Sequence, residues 1–139
     1  EVAAALARSL NLPDGTMPGI APDEWYAKEV GALFEAGLLE GFDLYWFNPE
    51  SVINRADAMQ LIANVLVYQK RAKSDMSSDE VVQHLARFPD FNKIPENRRR
   101  AAAICVYTHV VQGDERGLRP ADPFTRAEFS KILLELVKK

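Results

Sequence analysis

The chain has little of what most catalytic and metal-binding proteins are built from. Among its 139 residues there is a single cysteine, Cys105, and there are only two histidines, His84 and His109. One cysteine excludes an internal disulfide and any cysteine-based metal cluster. Neither histidine has a sequence-local metal partner, and there is no nucleophile elbow, phosphate loop or His-Glu-His pattern. The expectation is no enzyme, no catalytic residue, no metal and no cofactor. Long apolar runs are also missing: Ala3-Ala-Ala-Leu-Ala7 is interrupted by Arg8, far short of the roughly 20 residues that cross a bilayer, so membrane insertion is not expected. The net charge of -3 gives no broad electrostatic reason to bind nucleic acid. The local basic run Arg98-Arg-Arg100 reads as a solvated helix face.

What the chain does have is apolar content, 47% of its residues, ample for a packed core at this length. That content is arranged as a repeat. Phe124-Thr-Arg-Ala-Glu128 carries several helix-start signals at once: Thr125 caps, Glu128 reaches back as the other half of a capping box, and Phe124 meets Phe129 as a hydrophobic staple. Phe129, Ile132, Leu133, Leu136 and Val137 then recur at helical spacing. Ile53-Asn-Arg-Ala-Asp57 repeats the cap with Asn54 and Asp57, and Ala58, Leu61, Ile62, Val65 and Leu66 repeat the apolar face. A third copy opens the chain at Glu1, with Val2, Ala5, Leu6 and Leu10 in register, so the chain is read as beginning inside a repeat.

In order, a helix from Glu1 to about Leu12 stops at Pro13-Asp-Gly15, followed by loop to Pro22. A second helix, started by Pro22 or Asp23, carries Trp25, Tyr26, Val30, Leu33, Phe34 and Leu38 as a buried stripe and ends between Gly37 and Gly41. An aromatic loop, Phe42 to Pro49, leads to the capped helix from Asn54 to about Gln69. Lys70 to Ser78 is a polar linker, and Ser78 or Asp79 caps a short helix with Val81, Val82 and Leu85. Arg98 to Val111 is helical, with Ala102, Cys105, Val106 and Val110 inward. Gly113 matches Gly41 and Leu118-Arg-Pro120 matches Phe47-Asn-Pro49, at an offset of 72 residues before the glycine-led loop and 71 after it. Cys105 registers on Leu33 and reads as a buried small hydrophobe. Neither helix of such a hairpin can bury its stripe alone, so the capped helices are expected to meet in a central bundle.

Phe-Pro-Asp, a helix ending in a glycine-led loop, Pro, then Phe-Thr-Arg-Ala-Glu and an apolar helix resembles the S-layer homology domain, over nearly the whole chain. The resemblance divides it into the C-terminal helix of a truncated first repeat (1–16), a second repeat (17–69), a linker with a short helix (70–87) and a third repeat (88–139). It implies an all-α fold: tandem helix-loop-helix repeats in a pseudo-threefold spindle around a central three-helix bundle. It also implies a location outside the cell, on the bacterial surface, and non-catalytic anchoring to an anionic, pyruvylated secondary cell wall polysaccharide in grooves between repeats. The signature arginine is among the contacts, a role that falls by position on Arg126 and Arg55. The departures are Asn54 and Asp57 for Thr and Glu, His109 in the place of Gly37, and Asn97 where the family often has the tryptophan seen at Trp25.

Apart from the family, Arg55 and Arg126 occupy the first helical position, where the macrodipole disfavours a cation by a few tenths of a kcal/mol up to about 1. Two compensations are open: an anionic ligand shared with free backbone N–H groups, or an internal salt bridge. Glu128 and Asp57 are capping residues first and ligand contacts second. Gly41, Gly113 and Trp46 complete the candidate ligand-binding set. Tyr45, Trp46 and Phe47 could equally stack on sugar rings or pack the loop, and Trp25 reads as core. A calcium loop fails from Asp114, because Arg116 and Leu118 fill its third and fifth positions. The alternative function is a structural or assembly domain that has lost glycan binding and is completed by another copy or another chain.

Overall fold

A computed structural model of the chain describes residues 2–42 and 52–137, without the side chains of Val2, Ala3 and Arg126. Among the described residues six α-helices follow one another: α1 Val2–Ser9, α2 Ala27–Glu35, α3 Arg55–Tyr68, α4 Ser78–Leu85, α5 Arg99–Tyr107 and α6 Arg126–Val137. Short 3-10 turns, Phe91–Lys93 and Glu96–Arg98, stand before α5. Among the described residues the only β pairing is two isolated bridges, Asn54 with Pro123 and Asp114 with Gly117. The fold is all-α, built from helix-loop-helix repeats.

The helix starts follow the chemistry of their caps. Asn54 Oδ1 accepts from the Asp57 backbone N–H at 2.8 Å and opens α3. At α6 the capping box is complete: Glu128 N–H donates to Thr125 Oγ1 at 3.2 Å, and Thr125 N–H donates to Glu128 Oε1 at 3.2 Å. The staple closes beside it, with the Phe124 and Phe129 rings 6.1 Å apart and edge to face. For α4 the cap falls one residue before the expected position: Ser77 and Glu80 form the reciprocal box.

The helix ends share one device. After α2, Gly37 has φ 78° and Leu38 N–H reaches back to the Leu33 carbonyl at 2.9 Å. After α5, His109 has φ 63° and Val110 N–H reaches Cys105 O at 3.1 Å, so the histidine keeps the left-handed conformation of the glycine it replaces. Lys70 does the same after α3, where Arg71 N–H bonds Leu66 O, and Asn11 after α1, where Leu12 N–H bonds Ala7 O. A non-glycine residue there costs roughly 1–2 kcal/mol, offset by satisfying the last carbonyls.

The chain divides into two compact units, the first carrying α1 and α2, the second being Val52–Leu136. The boundary falls between α2 and α3. In the first unit α1 packs on α2. Ala4, Leu6 and Ala7 are buried, while Leu10 is half-buried, because α1 ends at Ser9 and leaves Leu10 in the closing turn. The segment after α1 crosses α2 at Gly31: Gly15 N–H donates to Lys28 O at 3.2 Å, and a Cβ on Gly31 would collide with the Gly15 carbonyl. Trp25 is not core. The helix begins at Ala27 rather than at residue 22 or 23, so Trp25 lies in the preceding turn, 54% exposed and edge-on to the buried Tyr26.

In the second unit α3 is the central element, buried through Ala58, Met59, Leu61, Ile62, Val65 and Leu66, more widely than a single stripe. Each of its buried leucines contributes about 2 kcal/mol. Helix α5 packs on α3 and on α4, and Cys105 is fully buried between apolar neighbours, its thiol donating to Met59 O at 3.3 Å. The expected extent of α5 is too long: the helix stops at Tyr107, four residues before Val111, where Thr108 and His109 close it. Val82 and Val137 are exposed rather than inward: α4 buries the i, i+4 pair Val81 and Leu85, and Val137 is the last residue of α6. Helices α3 and α6 run parallel, joined at their starts by Arg55 and Glu128 and at their ends by Gln69 Nε2 donating to Leu136 O at 2.7 Å.

Candidate functional site

The starts of α3 and α6 lie side by side because the strands of chain leading into them exchange backbone hydrogen bonds. Phe124 N–H donates to Ile53 O at 2.9 Å, Arg55 N–H to Asp122 O at 2.8 Å and Ala56 N–H to Pro120 O at 2.9 Å. With Asp57 N–H on Asn54, the first three amides of α3 all have protein acceptors. Of the two open compensations, free N–H groups facing an anion is not the one found at the α3 start: the neighbouring repeat's loop fills that place.

The Arg55 side chain is drawn into the same junction. It is 6% exposed; its Nε donates to Leu118 O at 2.7 Å and its Nη1 pairs with Glu128 Oε2. Of the two open compensations, the internal salt bridge is the one present at this arginine. Burial pushes its pKa below the ordinary value, as does the nearby Arg119 charge, against the opposing pull of Asp114, Asp122 and Asp90.

Two residues that the sequence reading gave no role organise the junction. Asp90, the acid of Phe-Pro-Asp, is buried and accepts from Leu118 N–H at 3.1 Å and Arg119 N–H at 2.7 Å. Gly117, with φ 108°, has no room for a Cβ against that carboxylate. Arg119 sits at φ 54° and reaches Asp122 at 3.2 Å, Asp114 at 3.1 Å and Glu128 at 4.0 Å. Its Nε is close to Asp114 in charge but not aligned for a hydrogen bond. Asp114 is held below the usual carboxylate range, first by the Arg116 N–H that it accepts at 2.9 Å and also by the Arg119 charge, with desolvation opposing. The junction sets Asp90, Asp114, Asp122 and Glu128 against Arg55 and Arg119, so its cations are neutralised from within.

The remaining candidates are placed apart. Asp57 does not close a capping box. Its carboxylate, one methylene shorter than that of Glu128, accepts from Arg98 Nε at 2.9 Å. Arg98 is 8% exposed, which corrects the solvated reading for that residue, while Arg100 is exposed: the 3-10 turn before α5 turns Arg98 towards α3. The next two are tied as well, Arg99 lying over the Phe91 ring at 4.8 Å and Arg100 donating to Met76 O at 3.0 Å. Gly113 lies at the base of the Asp114 turn against Phe88, and Gly41 belongs to the first unit. Trp46, Tyr45 and Phe47 lie outside the described residues, as does the side chain of Arg126. Among the described residues no group of His, Cys, Asp and Glu is arranged to hold a metal ion.

A model of the S-layer homology domain matches residues 20–59 and 87–130, more than half of the chain, and both matched stretches contain a helix start of this junction. The chain belongs to the S-layer homology family. Over 129 residues it is 22% identical to the "Surface-layer 125 kDa protein" of Lysinibacillus sphaericus, covering 90% of this chain and 10% of that protein. The S-layer homology chain thus spans about a tenth of the length of the curated relative it matches. Domains of this family are non-catalytic modules that anchor proteins at the bacterial cell surface, and membership places this chain outside the cell. No described helix is long and apolar enough to cross a membrane.

Proposed function

We propose that this S-layer homology chain anchors its parent protein to an anionic, pyruvylated cell wall polysaccharide, and that Arg126 carries the recognition. The observation behind this reading is that the arginine of one of the two motif copies, Arg55, is committed inside the fold. Arg55 is consumed as a clasp between α3 and α6, while Arg126 begins α6 with the full Thr-Arg-Ala-Glu signature and a formed capping box, which fixes its backbone at the helix start. Glu128 then acts chiefly by holding its cap and Arg55 in place and Asp57 by holding Arg98, Gly113 and Gly41 keep their loops close, and Trp46 offers a ring to a sugar face.

The test is calorimetric binding to pyruvylated wall polymer. Arg126→Ala should lose roughly 1.5–3 kcal/mol, about tenfold or more in affinity, because a bidentate donor to a carboxylate is removed. Arg126→Lys should recover part of that loss, keeping the charge without the planar fork. Parental binding by Arg126→Ala would send the search for the glycan contact elsewhere. The second reading, an assembly domain without glycan binding, is favoured by the saturated amides and neutralised charge at the α3 start. Concentration-dependent self-association with no retention on purified walls would select it.

A further inference from the structure

At the opposite end of α3 from Arg55, the chain leaves the helix at Gln69 and crosses to α4, and a cleft of about 720 Å³ opens between this crossing, the start of α4 and the end of α5. Fourteen residues of helix put it roughly 21 Å from the arginine junction, so the two are separate places on the molecule. Three cations line it, Lys70, Arg71 and Lys73, against the carboxylates of Asp75 and Glu80. Three cations against two carboxylates leave the cleft with one formal positive charge in excess, in a chain whose net charge is -3. Tyr107 supplies an aromatic wall: it is 56% exposed, yet held edge-on to His84 with ring centroids 5.2 Å apart.

The backbone of the crossing is tied in place before any ligand arrives. Lys70 is locked at φ 61° by the closing turn of α3, and Arg71 Nη1 donates to Glu135 O at 2.9 Å and to Gln69 Oε1 at 3.1 Å. The far side of the crossing is held by Arg100 Nε on Met76 O. Lysines near helix C-termini also serve the macrodipole. That role explains neither a large exposed tyrosine nor an open cleft beside them.

We infer that this cleft is a second saccharide site, taking a sugar that bears an anionic group. Lys70 and Lys73 meet the anion, and the Tyr107 ring takes the apolar C–H face of the pyranose. The inference shares the ligand class of the reading above but does not depend on Arg126.

The experiment is an NMR titration of the isotopically labelled chain with glucuronic acid, with glucose 6-phosphate and with neutral glucose. Saturable shifts at the amides of residues 70–73 and 107 are expected with the acidic sugars and not with glucose. The pair of acidic probes separates a carboxylate preference from a phosphate preference. The double variant Lys70→Ala/Lys73→Ala should weaken binding about tenfold. Tyr107→Ala should weaken it several-fold, while Arg126→Ala leaves these shifts in place. Lys70, Lys73 and Tyr107 are exposed, and a melting curve checks that each variant is folded. Absent shifts, equal shifts with glucose, or unchanged binding by the lysine variant would each overturn the inference. Shifts confined to the α6 start and lost with Arg126→Ala would overturn it while leaving the anchoring proposal standing.

Discussion

Arg55→Ala is the perturbation that separates a clasp from a ligand contact. It deletes a guanidinium that is 6% exposed and joined to Leu118 O and Glu128. Removing one member of a buried pair costs about 3–5 kcal/mol when the partner stays dehydrated. The Glu128 side chain is 27% exposed and keeps its bonds to Thr125, so it regains part of its hydration. The expected loss is therefore about 2–3 kcal/mol. In a chain of this size each kcal/mol moves the midpoint by roughly 3–4 °C, which gives a fall of about 6–12 °C. The assay is thermal and urea unfolding of the parent, Arg55→Ala, Glu128→Gln and the double variant. Glutamine retains the reach of the capping box, so the cycle isolates the ion pair, with an expected coupling of about 1 kcal/mol or more. A midpoint within about 2 °C of the parent, or an additive cycle, would refute the clasp and free Arg55 for a ligand.

Further tests follow from burial and charge. Asp114 has a folded pKa below the ordinary value of about 3.9, so its contribution is present above that pH and lost as pH falls through the folded value. Asp114→Asn should be less stable than the parent at neutral pH, and the gap should close in acid; urea midpoints for both proteins across pH 2–7 (roughly the range spanning the carboxylates) would expose a pH-independent gap if the ion pairing is wrong. Gly31→Ala should lose about 2 kcal/mol or more, because its Cβ meets the Gly15 backbone; an unchanged melting curve would contradict that close crossing. Cys105 should resist thiol reagents in the native chain, since burial pushes its pKa up, and should label only as urea unfolds the protein.

The sequence by itself determined the helices and their caps. Thr125 with Glu128, Asn54 with the amide of Asp57, and the Phe124–Phe129 staple are local geometry, set within one turn of chain, so residue type and spacing were enough to read them. The register of the repeat was legible for the same reason, even to His109 taking the backbone conformation of Gly37. Where local signals were weak the reading slipped: nothing within a turn distinguishes a helix starting at Asp23 from one starting at Ala27, and Trp25 went to the surface with that difference. The junction was decided only by tertiary structure. Whether an arginine at a first helical position faces solvent or a carboxylate depends on which loop arrives opposite it. For Arg55 that loop comes from more than sixty residues away in sequence, with Leu118 on it, Asp90 holding it and Glu128 in the first turn of the helix that follows it. A charge at a helix start is satisfied by whatever the fold brings within a few ångströms, and that proximity is a property of packing, not of the motif.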